Sequence, residues 1–391
     1  MEYQKWRIMM TSKNDLHNYR SVVSNTRINH DAYANILNEL IDAYNEVGTT
    51  ALPVCLLITG ESRTGKSSVV RDLLMKYLPS QNDGQIIRTI VYAVAPAKAT
   101  VKSLLESLLY GLGDPFWARG TVVNMTQRLY TLLDAVQCKM IILDEFQHLC
   151  DKGQKHSLHL LADWLKVLLE GGKYGLVAVG LPSAASIIHG HPQLVGRFDG
   201  ELKMPLFDWM DESSAQQFRV ILGQFQDELK LFQMPALDNK NMGFRIFLAS
   251  AGRIGLVAKI LERAVRNAVH AGTFKIELKD LKVAYDRAIW SASLFPVPGG
   301  PFGAEIGLLQ KPGIQDSVLA NAAMEEVADK SSSVLIFDDR KTVEVESVQA
   351  RNSESTRKDK NQTTKKKSGN SKERQPVRKR PNALRDLRRA L

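Results

Sequence analysis

Residues 60–68 read Gly-Glu-Ser-Arg-Thr-Gly-Lys-Ser-Ser and follow directly on the apolar run 53–59, Pro-Val-Cys-Leu-Leu-Ile-Thr. The stretch matches G-x-x-x-x-G-K-[ST], and the residues after it have helical spacing. A glycine-rich turn between a strand and a helix aims several backbone N–H groups at one point, and the helix dipole adds positive potential there. That geometry suits a phosphate chain and demands a sheet whose strands alternate with helices. Gly60 and Gly65 allow the wrap, with Glu61, Ser62, Arg63, Thr64 and Ser68 completing the loop. Lys66 then reaches the β- and γ-phosphates of ATP, and the Ser67 hydroxyl ligates Mg²⁺.

The confirming half lies about 80 residues on, in Met-Ile-Ile-Leu-Asp-Glu at 140–145. Four apolar residues followed by two acids put Asp144 at the C-terminal end of a strand, where ligands of open α/β sheets bind. Asp144 is assigned to the metal and Glu145 to polarising the attacking water. Hydrolysis also needs positive charge at the γ-phosphate. Arg197, in HPQLVGRFDG, follows the fourth expected strand and suits a finger reaching a neighbouring subunit's ATP. Arg253, in SAGRIGLVAKIL, opens a later helix and suits a sensor within the chain. Taken singly, each also reads as an ordinary surface arginine; their order relative to the phosphate motifs favours the functional reading.

Periodicity places the rest. A helix is expected over 31–47 with Asp31 as N-cap, strands at 53–59, 86–95, 139–145 and 175–180, and helices at 66–77, 100–111, 124–137 and 155–169. Strands alternating with helices imply a parallel sheet covered on both faces. Beyond 203–209 the pattern is helical only, over 211–230, 241–251, 253–271 and 279–292. The resulting division is an N-terminal extension 1–29, an α/β nucleotide-binding domain 30–208, a helical lid 209–292, a Pro/Gly-rich linker 293–350 with one apolar run at 333–338, and a basic tail 351–391.

The net charge of +10 comes from that tail, which holds 15 Lys/Arg against 4 Asp/Glu and leaves the first 350 residues close to neutral. Its lack of aromatics and of apolar period predicts disorder in isolation. Three cysteines without ligand spacing fit buried thiols in a reducing compartment. The N-terminus lacks the apolar core of a leader, and no run of 18 apolar residues occurs, so a cytoplasmic protein without membrane association is expected.

With LLITGESRTGKSS, MIILDEFQHL, LVAVGLPSA, HPQLVGRF and ASAGRIGLVAKILERAVRNAV in this order, the chain resembles AAA+ ATPases, and more narrowly the TniB/TnsC family of bacterial transposition regulators, over roughly 30–290. The resemblance implies a P-loop core with a small helical lid. It also implies ATP-dependent assembly into a ring or helical filament on duplex DNA, linking a target-selection protein to a transposase, with hydrolysis driving disassembly. The family's duplex contacts map here onto Lys98, Lys102, Arg119 and Thr121, each of which also reads as a solvated surface group. Where the family often carries a Thr after the glycine closing the fourth strand, this chain has Gly180-Leu181-Pro182, so hydrolysis is expected to be slow or differently tuned. A helicase-loader type of AAA+ protein, or a signalling ATPase that needs no DNA, are the rival readings.

Overall fold

The computed structural model describes residues 30–322 apart from 50, 51, 98 and 151–154, together with Val23. The extension 1–29 except Val23, the apolar run 333–338 and the basic tail lie outside the described residues.

The sheet has five strands, β1 (Cys55–Thr59), β4 (Ile90–Val94), β5 (Met140–Asp144), β6 (Gly175–Gly180) and β7 (Glu201–Lys203), in the order β4-β5-β6-β1-β7 with every pair parallel. β2 (Ser80–Asn82) and β3 (Gln85–Ile87) form a separate antiparallel hairpin. The strand expected over 86–95 divides at Arg88 and Thr89 into β3 and β4, which lie in different sheets; neither β2 nor β7 is foreshadowed by alternation, because three residues carry no measurable period.

The central strands are apolar at nearly every position because both faces are covered. Cys55, Leu57, Ile141, Leu143, Leu176 and Ala178 join one buried cluster, while Leu56, Ile58, Met140, Ile142, Val177 and Val179 join another. The first face is covered by α3 (Val101–Leu112), α4 (Val122–Ala135) and α5 (Lys155–Leu168). The second is covered by α1 (Asp31–Glu46) and α2 (Lys66–Lys76). His30, not Asp31, is the N-cap of α1: its imidazole accepts from Tyr33 N at 3.4 Å, and Asp31 occupies the first turn.

After β6 come α6 (Ser183–His189) and α7 (Pro192–Val195), then β7. A third buried cluster follows, built on α8 (Glu212–Glu228), α9 (Lys240–Ser250), α10 (Ile254–His270) and α11 (Leu278–Ala288). Here the structure differs from the reading of 293–350 as linker over its described part, 293–322. Val297, Phe302, Ala304, Leu309 and Val318 are buried in this same cluster, through the short helices α12 (Gly300–Gly303) and α13 (Ile306–Leu309) and a helical stretch over 314–322. Arg245 of α9 clamps the segment, its guanidinium donating to Pro301 O at 2.6 Å and Ala304 O at 2.8 Å. Composition reads this stretch as open chain because its apolar residues have no regular period; they are buried by irregular backbone that the helical cluster supports. Among the described residues no helix is long and apolar enough to cross a membrane.

Candidate functional site

The loop after β1 is shaped by two glycines for different reasons. A β-carbon on Gly60 would lie 2.7 Å from Met204 O, so the close approach of the chain after β7 excludes any side chain. Gly65, the N-cap of α2, has φ +112°, and a β-carbon there would meet nothing within 4 Å. Backbone conformation demands this glycine, and open space lies beside it. No side chain caps α2, so its first turn presents backbone donors and the positive end of its dipole to that space.

Lys66 folds its ammonium over the loop, donating to Gly60 O at 2.8 Å and Glu61 O at 2.7 Å. Thr64 is buried and donates to the same Glu61 carbonyl at 2.8 Å. Ser62 is half-buried, while Arg63, Ser67 and Ser68 are exposed. Asp144 ends β5, buried, two strand positions from β1, about 10 Å across the sheet. One of its carboxylate oxygens accepts from Glu145 N at 2.8 Å and the other from the Tyr92 hydroxyl at 2.9 Å. Burial first, and then the Asp144 charge, push the Tyr92 hydroxyl far above its ordinary range, which keeps it a donor. Lysine, the Ser67 hydroxyl and the Asp144 carboxylate combine a cation with hard oxygens, a donor set that fits a polyphosphate with magnesium.

Glu145 is exposed, with φ +55°. Its carboxylate accepts from the side-chain amide of Gln147, whose own oxygen accepts from Leu181 N at 3.1 Å.

The two arginines part company. Arg253 is buried, directly before α10, and the next turn touches the loop: Gly255 N donates to Arg63 O at 2.8 Å. A β-carbon on Gly255 would lie 2.9 Å from both Arg63 Cβ and Arg63 O, so a glycine is needed for the contact. Arg197 lies elsewhere. Asp199 N donates to Cys55 O at 2.9 Å, which ties this stretch to the opposite end of β1, about 13 Å along the strand from Thr59. The Arg197 charge bears instead on the Cys55 thiol, which burial nonetheless pushes up to about 12.

Of the four residues expected at a duplex, the three that are described do not share one patch. Lys98 lies outside the described residues. Lys102 is exposed on the first turn of α3. Arg119 and Thr121 lie past that helix's other end, about 16 Å away along its axis. The Arg119 guanidinium stands 5.6 Å over the Phe116 ring. Thr121 caps α4, its hydroxyl accepting from Asn124 N at 3.3 Å. Sequence reasoning passes over Tyr92 and Gln147. Tyr92 is visible only once β4 is known to flank β5; Gln147, two positions after Glu145, was open to notice.

Residues 19–210 match a family model described as bacterial TniB protein. No curated protein matches the chain. Among solved structures, the Aeropyrum pernix ORC1 protein in complex with DNA is similar at a TM-score of 0.52 and 17% identity, over 68% of this chain and 69% of that one. Cdc6p from Pyrobaculum aerophilum is similar at a TM-score of 0.52 and 15% identity, over 71% and 74%. At these identities the likeness concerns the fold.

Proposed function

Because residues 19–210 match the bacterial TniB family model and the fold is similar to that of ORC1 and Cdc6p, we propose that this chain is a TniB-type AAA+ ATPase, an ATP-dependent, DNA-binding regulator of transposition. In this reading it assembles on duplex DNA, links target selection to a transposase, and comes apart as ATP is hydrolysed. Lys66 and the loop N–H groups would hold the phosphates, and Ser67 and Asp144 would hold magnesium, which when bound would neutralise charge on the phosphate oxygens. Tyr92 orients the Asp144 carboxylate. Glu145 takes the proton of the attacking water, and Arg253 follows the nucleotide from the lid through the contact between α10 and the loop.

One observation carries the assembly part. Asp199, two residues after Arg197, is tied to the end of β1 remote from the glycine loop, and the Arg197 charge acts on Cys55 there, which supports a role for Arg197 at the phosphate of an adjacent copy. An arginine supplied in trans makes turnover depend on assembly. The DNA part rests on the family, helped by the surplus of cations in the tail. A filament repeating even one or two cations per subunit along the phosphates gains affinity with strong salt dependence.

The test is electron microscopy and light scattering of the full chain with duplex DNA and a non-hydrolysable ATP analogue. Ordered assemblies requiring both nucleotide and Arg197 are expected. A particle that stays monomeric with saturating nucleotide and duplex overturns the reading.

A further inference from the structure

Gln147 contacts two parts of the site at once. Its Nε2 donates to the Glu145 carboxylate, and its Oε1 accepts from Leu181 N at 3.1 Å. A carboxamide offers a donor and an acceptor together at that reach. The bridge has a built seat. Phe146 is fully buried and anchors the short helical stretch Phe146–Cys150. Gly180, at the end of β6, leaves room for the amide: a β-carbon there would lie 2.5 Å from Gln147 Oε1. Leu181 opens the segment that continues through α6 and α7 to Arg197, and its carbonyl accepts from Ala184 N at 2.8 Å in the first turn of α6.

We infer that Gln147 is a positioning residue that latches Glu145 to the Arg197-bearing segment, so that hydrolysis stays restrained until an adjacent copy engages that segment. The inference rests on the reading of Glu145 as the base. A carboxylate that accepts an amide hydrogen bond has a lone pair committed to it and is held to one side-chain geometry. Displacing Leu181 frees the amide and, with it, Glu145.

Gln147→Met keeps the length and removes both bonds, whereas Gln147→Glu retains an acceptor for Leu181 N and loses the donor to Glu145. In the full chain without DNA, both variants are expected to raise kcat for ATP roughly three- to tenfold, the scale of one ordinary net hydrogen bond, with KM within about twofold. Stimulation by duplex DNA falls by the same factor. Gly180→Ala, which crowds the amide, raises kcat similarly and adds nothing in the Gln147→Met background; thermal melting of each variant separates this from unfolding. A folded Gln147→Met protein whose DNA-free kcat equals or falls below that of the wild type overturns the latch. If Glu145→Gln itself turns over ATP at the wild-type rate, the underlying assignment fails instead.

Discussion

In the proposed function Lys66 and Glu145 do separable work, and their variants are expected to behave differently. Lys66→Ala removes a cation from the phosphate cradle and is expected to weaken nucleotide binding by about tenfold to a hundredfold, read by fluorescent-nucleotide titration. Glu145→Gln leaves the cradle whole and removes a base, so kcat falls by about 10² to 10⁴ while binding persists and assemblies outlive those of the wild type. Equal dissociation rates for the two assemblies would count against the role given to that acid. His30 supplies a pH dependence. Burial lowers its pKa below the ordinary value of a free imidazole, against a smaller opposing pull from Asp31. Its ring accepts from Tyr33 N and stands edge-on to Phe207 at 5.5 Å. A group whose folded pKa is depressed contributes stability that is present above 6.5 and lost as pH falls below it. Protonation also removes the acceptor that caps α1. Urea midpoints should therefore drop between pH 7 and pH 5 more steeply for the wild type than for His30→Asn, which keeps a capping acceptor and cannot titrate.

At the level of elements, the turn between α9 and α10 depends on two glycines that leave no room for a side chain. Gly252 has φ +71°, and a β-carbon there would approach Phe207 O to 2.2 Å; Gly255 meets Arg63. Gly255→Ala is expected to push α10 off the glycine loop and weaken nucleotide binding about threefold or more with little change in melting temperature. Gly252→Ala, strained in its backbone as well, is expected to lower the melting temperature itself. Nearly every long element was legible in the sequence. The reason is local: β1, β5 and β6 are continuous apolar runs, and α10 carries a clean apolar stripe of Ile254, Val257, Ile260, Leu261, Ala264, Val265 and Ala268, all buried. Pieces such as β7 were not legible, since Glu-Leu-Lys becomes a strand only because β1 lies beside it.

For the whole molecule, the place where the chain is cut decides what is lost. Ending it after Ala322 removes only residues outside the described structure, including the 15 cations of the tail. Nucleotide binding should survive, with lower DNA affinity and a shallower dependence on salt; unchanged affinity would show that the tail is not a DNA arm. Ending it near residue 293 also strips Val297, Phe302, Ala304, Leu309 and Val318 from the helical core. Since each large buried side chain is worth about 1.5–3 kcal/mol, that shorter protein should melt markedly lower or fail to fold. The contrast between the two truncations, followed by thermal melting, tests the corrected boundary. By itself the sequence determined the glycine-rich loop, the acidic strand end and the alternation of strand and helix, because each is encoded by neighbours within a few residues. Tertiary structure alone decided that Gln147 meets Glu145 and Leu181, that Tyr92 meets Asp144, that Gly255 meets the loop and that Arg197 does not. These contacts depend on strand order and on which backbone passes close to which, and that information is spread over residues far apart in the chain.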